Sequence, residues 1–220
     1  MINYQIEMDK LLKSNTEKGV VPSLMLHSCC APCSSYVIEY LSNYFYITVL
    51  YYNPNITKES EYSYRLSEEK RLIGEMKTKY PVKMLDAVYC PDKYLEAVKG
   101  LEHEPEGGKR CEKCFEMRLF YTAKSAKERG FDFFATTLTI SPLKNAKLIN
   151  EIGFNAEKKF GVKHLASDFK KRGGYKRSIE LSKQYDLYRQ NYCGCIFSAA
   201  ERKRAESERP EPNNNTNTIF

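Results

Sequence analysis

The sequence predicts an α/β fold: a parallel sheet with helices on both faces, followed by a helical C-terminal part. Three observations carry this expectation. Short apolar, β-branched or aromatic runs at 24–26, 45–52, 82–85 and 131–136 alternate with longer segments of helical periodicity. Strands separated by helices pair in parallel and are covered on both faces. The residues with the most reactive chemistry fall where these runs end, and in such sheets ligands bind beyond the carboxyl ends of the strands.

Composition sets the frame. A chain of 220 residues with 42% hydrophobic and 13% aromatic content forms one sizeable domain, and 1–206 is read as that domain. Residues 207–220, rich in Pro and Asn, read as a disordered tail. No apolar run reaches the length of a membrane span and no signal-peptide pattern opens the chain, so a cytoplasmic protein is expected. In a reducing compartment, eight cysteines point to metal binding or catalysis before a disulfide framework. A net charge of +7 is compatible with a nucleic-acid partner without requiring one.

Taken in order, Tyr4, Met8, Leu11 and Leu12 suggest a short amphipathic helix before the first strand at 24–26. That strand ends in His27-Ser28-Cys29-Cys30-Ala31-Pro32-Cys33, where Pro32 suits the first turn of a helix. A helix N-terminus favours thiolate over thiol, and three thiols within five residues at such a turn read as a metal or redox site. The strand at 45–52 ends in the turn Asn53-Pro54-Asn55. Residues 58–79 read as a long surface helix, 82–85 as a strand, and 91–101 as a helix opened by Pro91. The Gly-, Pro- and charge-rich stretch 102–109 reads as a mobile loop. It leads to Arg110-Cys111-Glu112-Lys113-Cys114 at the start of a helix running to about Gly130. Thiols at i and i+3 on a first helical turn face the same way and can share one metal centre. After the strand at 131–136, the Thr- and Ser-rich run through Asn145 reads equally as a helix cap or, with Lys144, as a binder of phosphate or sugar. A helix is expected to close through Tyr185–Tyr188, ahead of Cys193-Gly194-Cys195.

Seven of the eight cysteines therefore lie in three groups, and only Cys90 stands alone, where a structural role is expected. Zinc ribbons use paired C-x-x-C knuckles, whereas thiols of unlike spacing on α/β loops suit an iron–sulfur cluster, with Cys29, Cys30, Cys111 and Cys114 as its four thiolates. The tight, glycine-hinged pair Cys193 and Cys195 suits an easily reduced disulfide that shuttles electrons. The cluster Lys170, Lys171, Arg172, Lys176 and Arg177, with Tyr175 among them, is the best candidate for contact with RNA phosphates.

Five separated motifs, in order, give the chain a resemblance to a known family. They are the string from His27 to Cys33, Tyr52-Asn53-Pro54-Asn55, Arg110-Cys-x-x-Cys-x-x-x-Arg118, Thr136-Thr-Leu-Thr-x-Ser-Pro-x-Lys-Asn145, and Tyr192-Cys193-Gly194-Cys195. Together they resemble the epoxyqueuosine reductases of the QueH type, over about residues 22–205. The resemblance implies reduction of epoxyqueuosine to queuosine at the wobble position of a tRNA anticodon, on a HUP/Rossmann-like sheet. It also implies a [4Fe-4S] cluster on Cys29, Cys30, Cys111 and Cys114, an additional iron for which Cys33 is the candidate, and a redox-active Cys193/Cys195 pair. An unidentified electron donor completes the expected partners. His164 and Asp168 are weighed as proton donors, with a structural role preferred for the histidine. Two other readings remain: a zinc-stabilised RNA-binding protein without catalysis, and a PP-loop-like tRNA-modifying enzyme. The second is disfavoured because the turn at 27–33 has no glycine to cradle pyrophosphate.

Overall fold

The computed structural model describes residues 2–208. Its centre is an all-parallel sheet of β1 (Ser23–His27), β2 (Tyr46–Tyr51), β3 (Val82–Asp86), β4 (Phe133–Thr136) and β5 (Lys163–His164), in the order β3-β2-β1-β4-β5. Eight helices accompany it among the described residues: α1 (Tyr4–Glu17), α2 (Ala31–Leu41), α3 (Glu59–Glu75), α4 (Pro91–Ala97), α5 (Lys109–Glu128), α6 (Ala146–Phe160), α7 (Gly174–Gln184) and α8 (Ile196–Ser207). None is long and apolar enough to cross a membrane.

Strand alternation divides the core into two layers. Leu24, Leu26, Ile47, Val49, Phe133 and Ala135 pack with Met8, Leu12, Val37, Leu41 and Leu72 from α1, α2 and α3. Met25, Leu50 and Phe134 face the opposite way, against Ala123 and Ala126 of α5 and Ala156 of α6. The small residues let α5 lie close to the sheet and carry its first turn to the strand ends. β1 and β4 are buried on both faces, as central parallel strands require, while the edge strand β3 is half-exposed.

Several expected boundaries move for local reasons. α3 stops at Glu75 because Met76 turns extended (ψ 130°) and buries its side chain. α4 ends at Ala97, before a turn in which Gly100 takes φ +82°. The helix expected through Tyr188 ends at Gln184: Asp186 adopts φ +46°, and the Arg71 guanidinium holds the Tyr185 and Asp186 carbonyls at 3.0 and 3.3 Å. α8 continues through Ser207, so the boundary expected at 206 falls within its last turn; the expected tail lies, from 209 onward, outside the described residues.

At the start of α7, a Cβ on Gly174 would collide with the Phe169 carbonyl and the Tyr36 ring, whereas one on Gly74 of α3 meets open space. Gly174→Ala is expected to lower unfolding stability by about 1–3 kcal/mol. Gly74→Ala should leave it unchanged or raise it by up to ~1 kcal/mol. Paired urea titrations check both.

Candidate metal centre and substrate cleft

The sheet order reverses between β1 and β4, and the crevice at that switch point opens beyond the strand ends. Cys29 sits there. Its amide donates to Thr137 Oγ1 at 3.3 Å, linking the loop after β1 to the one after β4. Cys30 is the N-cap of α2, with Pro32 in the first turn. The sulfurs of Cys29, Cys30 and Cys33 all lie within 4.8 Å of one another, and those of Cys29 and Cys30 are 3.9 Å apart. All eight cysteines carry free thiols.

The second cysteine group opens α5. The Cys111 sulfur accepts the Gly107 amide at 3.2 Å, and Cys114 lies one turn further on, buried. Cys29 and Cys111 pack against one apolar cluster of Phe115, Leu119, Leu138, Ile149 and Ile152. The loop read as mobile is fastened: buried Arg110 donates to the Glu102 and Glu104 carbonyls and pairs with Glu201 of α8 at 2.7 Å. The same guanidinium lies 4.6 Å from the Phe197 ring centroid, so it also seats α8.

The third group reaches the cleft on the segment between α7 and α8. Arg65 of α3, paired with Glu61 at 2.7 Å, donates to the carbonyls of Cys193 (3.2 Å) and Tyr192 (3.5 Å). Gly194 takes φ +116°, and a Cβ there would press on Ile56 and the Arg65 guanidinium. Glycine is required on both counts. The Cys195 sulfur caps α8 by accepting the Ser198 amide at 3.3 Å.

Two cavities meet at Cys193. The larger, about 320 Å³, is lined by Cys29, Cys33, Arg65, Arg118, Lys144 and Tyr175, among others. The smaller, about 90 Å³, is lined by Cys111, Cys114, Cys193, Cys195 and Lys144, among others. The donor set suits a thiol-held metal centre: Cys29, Cys30 and Cys33 converge, the other two groups line the adjoining cavity, and N–H groups already point at the sulfurs of Cys111 and Cys114.

Beneath the cysteines lies a polar network. Arg118 of α5 donates to Asn53 Oδ1 at 2.6 Å and to His27 Nε2 at 3.2 Å, and its remaining nitrogen is 3.9 Å from the Cys114 sulfur. Asn53 in turn donates to the Ser28 carbonyl at 2.9 Å. His27 Nε2 lies 3.2 Å from both the Arg118 Nε–H, which calls for a lone pair there, and the Tyr52 carbonyl, which calls for a proton, while Nδ1 faces Thr136 Oγ1 at 2.9 Å. Burial and the Arg118 charge push His27 down to about 3, so it is neutral. Cys29 is held well below the usual thiol range by hydrogen bonds from Cys30 and Cys33, then by Arg118 and Lys144. The Cys29 thiolate in turn raises Cys30, to about 12. Burial pushes Cys114 up to about 12. One thiolate therefore forms readily and the rest follow when a metal replaces their protons.

Other expected residues fall elsewhere. In the basic cluster, Lys171 and Lys176 are exposed and unpaired among the described residues. Lys170 pairs with Asp168 (2.8 Å), Arg172 with Asp9 (2.5 Å), and Arg177 with Glu39 (2.7 Å). Tyr175, in their midst, lines the larger cavity. His164 is buried against Phe134, Phe154 and Asn150 and pushed by burial down to about 4, the structural role preferred for it. Cys90 packs beneath β2, its sulfur 4.0 Å from the Tyr52 hydroxyl. The Thr-rich run spends its hydroxyls internally: Thr136 on His27 and the Leu138 amide, Thr137 on Cys29, Thr139 on Ser167. Lys144 stays beside the cleft.

Arg65 and Glu69 were not legible, since α3 reads as a surface helix. Both project inward, and Glu69 is fully buried under the Cys29 turn. His27, Asn53 and Arg118 do stand in the motif strings, but nothing local announces their mutual bonds.

Comparison with known proteins follows the same outline. Residues 24–201 match the family model described as epoxyqueuosine reductase QueH. Among curated proteins of that name, the one from Streptococcus pyogenes serotype M1 is 47% identical over 200 residues, covering 90% of this chain and 78% of the relative. The one from Staphylococcus epidermidis is 46% identical over 202 residues, covering 90% and 85%. The one from Thermotoga maritima is 36% identical over 192 residues, covering 84% and 95%.

Burial raises the Glu69 carboxyl to about 7, although the hydroxyls of Ser34 and Ser28 work in the opposite direction. A folded pKa above the unfolded value means that the native state holds the proton longer, so this group's contribution is full below about 4.5 and is lost as pH rises towards 7. Relative to Glu69→Gln, the metal-free wild-type protein should lose at most about 3 kcal/mol over that window. Urea titrations of both proteins at a series of pH values measure the difference and cancel the opposing histidine contributions.

Proposed function

The chain belongs to the epoxyqueuosine reductase QueH family, and on that premise we propose that it removes the epoxide oxygen of epoxyqueuosine at the wobble position of a tRNA anticodon, giving queuosine in the cytoplasm. The observation that carries this reading is the meeting of three cysteine groups, from the β1 turn, the start of α5 and the segment before α8, around one cleft. Cys29, Cys30, Cys111 and Cys114 would hold a [4Fe-4S] cluster, and Cys33 an additional iron. When bound, these metals supply single-electron transfer and a Lewis acid for the departing oxygen.

The rest of the reaction falls to the chain's own residues. Reduction of an epoxide to an alkene and water consumes two electrons and two protons. Oxidation of the Cys193 and Cys195 thiols to a disulfide releases two of each, so the stoichiometry closes, and an external reductant restores the dithiol. Arg65 holds the turn on which Cys193 sits, which fixes that thiol at the junction of the two cavities. A volume of about 320 Å³ suits a modified nucleobase. Tyr175 on its wall offers a face for stacking, as single-stranded RNA loops require.

The phosphate contacts fall to Lys171 and Lys176 more than to Arg172 and Arg177, which already have carboxylate partners. The double variant Lys171→Ala/Lys176→Ala should weaken tRNA binding and reduce the salt slope by roughly 1–2. An unchanged slope removes these lysines from the interface.

Protein purified without oxygen should be brown, with about four sulfides and slightly more iron per chain. It should convert epoxyqueuosine-bearing tRNA. Cys111→Ser should lose iron and sulfide, whereas Cys193→Ser should keep both and lose multiple turnover. Colourless, zinc-loaded wild-type protein from the same preparation would favour a zinc-stabilised RNA-binding role instead.

A further inference from the structure

Three arginine side chains are essentially removed from solvent: Arg65 at 2%, Arg110 at 1% and Arg118 at 1% exposure. Guanidinium does not give up its proton in proteins, so each needs a counter-charge or a high cost is incurred. Arg65 has Glu61 and Arg110 has Glu201, both at 2.7 Å. Among the described residues no carboxylate pairs with Arg118. Its partners are a neutral imidazole, a carboxamide and the Cys114 sulfur.

Lys144 repeats the pattern from the other side. It is half-buried, lines both cavities, and makes no ion pair among the described residues. The groups facing these two cations are mostly cysteine sulfurs, of which Cys29 forms a thiolate readily, with the exposed Glu106 carboxylate also on the wall of both cavities. The Arg118 guanidinium lies 3.9 Å from the Cys114 sulfur. Lys144 shares the wall of the larger cavity with Cys29, Cys33 and Cys193, and that of the smaller with Cys111, Cys114 and Cys195.

We infer that Arg118 and Lys144 are the built-in counter-charge of the cysteine centre, Arg118 from beneath the strand ends and Lys144 from the cleft, and that they raise its reduction potential. The inference rests on the cluster assignment proposed above. Each electron added to a thiolate-held cluster increases its negative charge, so two fixed cations in a poorly solvated site favour the reduced form. In this role both residues act through the cysteine sulfurs, which makes them positioning residues.

The test is a redox titration, followed by electron paramagnetic resonance, of anaerobically purified protein with iron and sulfide measured on each sample. Lys144→Gln should retain wild-type iron and sulfide while its equilibrium constant for reduction falls about tenfold, a shift of about 59 mV to more negative potential for one electron. Lys144→Arg, which keeps the charge, should stay within about twofold of wild type. Arg118→Gln should shift in the same direction as Lys144→Gln; should that buried substitution prevent folding, the Lys144 pair alone decides. A fully loaded Lys144→Gln protein with an unchanged potential overturns this inference and leaves the cluster assignment standing. Wild-type protein that holds no iron and sulfide overturns the cluster assignment itself, and this inference with it.

Discussion

The guanidinium of Arg118 is where the geometry of the molecule is decided. It is long enough to leave α5, pass beneath the strand ends and bond at once to His27 on β1 and Asn53 after β2. Asn53 then fixes the Ser28 carbonyl, so the path of the chain into Cys29 and Cys30 follows from a side chain about ninety residues away. A lysine has no planar fork to make these bonds in one plane. The neutral state of His27 is part of the same constraint, because a second positive charge beside Arg118 would be expelled.

Arg65 and Arg110 extend this principle to the C-terminal part. The Cys193–Cys195 turn has no regular structure of its own and lies outside the sheet. It is kept over the cleft by Arg65 on its carbonyls, while Arg110 fixes both α8 and the loop before α5. Charge-assisted bonds from buried arginines are strong and directional, which suits them to holding irregular backbone in place. The cysteine groups thereby become neighbours although they are far apart in the chain.

Four of the five strands were legible because they are apolar runs flanked by breakers, and each of the runs found at 24–26, 45–52, 82–85 and 131–136 contains or overlaps one; the two-residue β5, Lys163–His164, is too short and polar to stand out. Helix ends were less legible. Tyr185 continues the helical pattern, yet Arg71 captures the Tyr185 and Asp186 carbonyls and ends the helix. The cysteine motifs were visible because thiols are rare and their spacing is tight. Glu69 and Arg65 were hidden inside a helix whose charged residues read as a solvated face. Burial of a charge depends on what packs over it, and periodicity cannot report that.

By itself, the sequence determined the local matters: the parallel α/β class, the turn of Cys29, Cys30 and Cys33 at a helix start, the C-x-x-C on a first helical turn, and the glycine between Cys193 and Cys195. These follow from residue spacing, the φ limits of proline and glycine, and hydrophobic period. Only the tertiary structure decided which strand ends adjoin, that the basic cluster spends Arg172 and Arg177 on Asp9 and Glu39, that Arg118 meets the Cys114 sulfur, and that Lys144 shares its cavities with the cysteines. The reason is physical: charge pairing acts between segments that only folding brings together, and the same arginine reads identically in sequence whether it meets water, a carboxylate or a thiol.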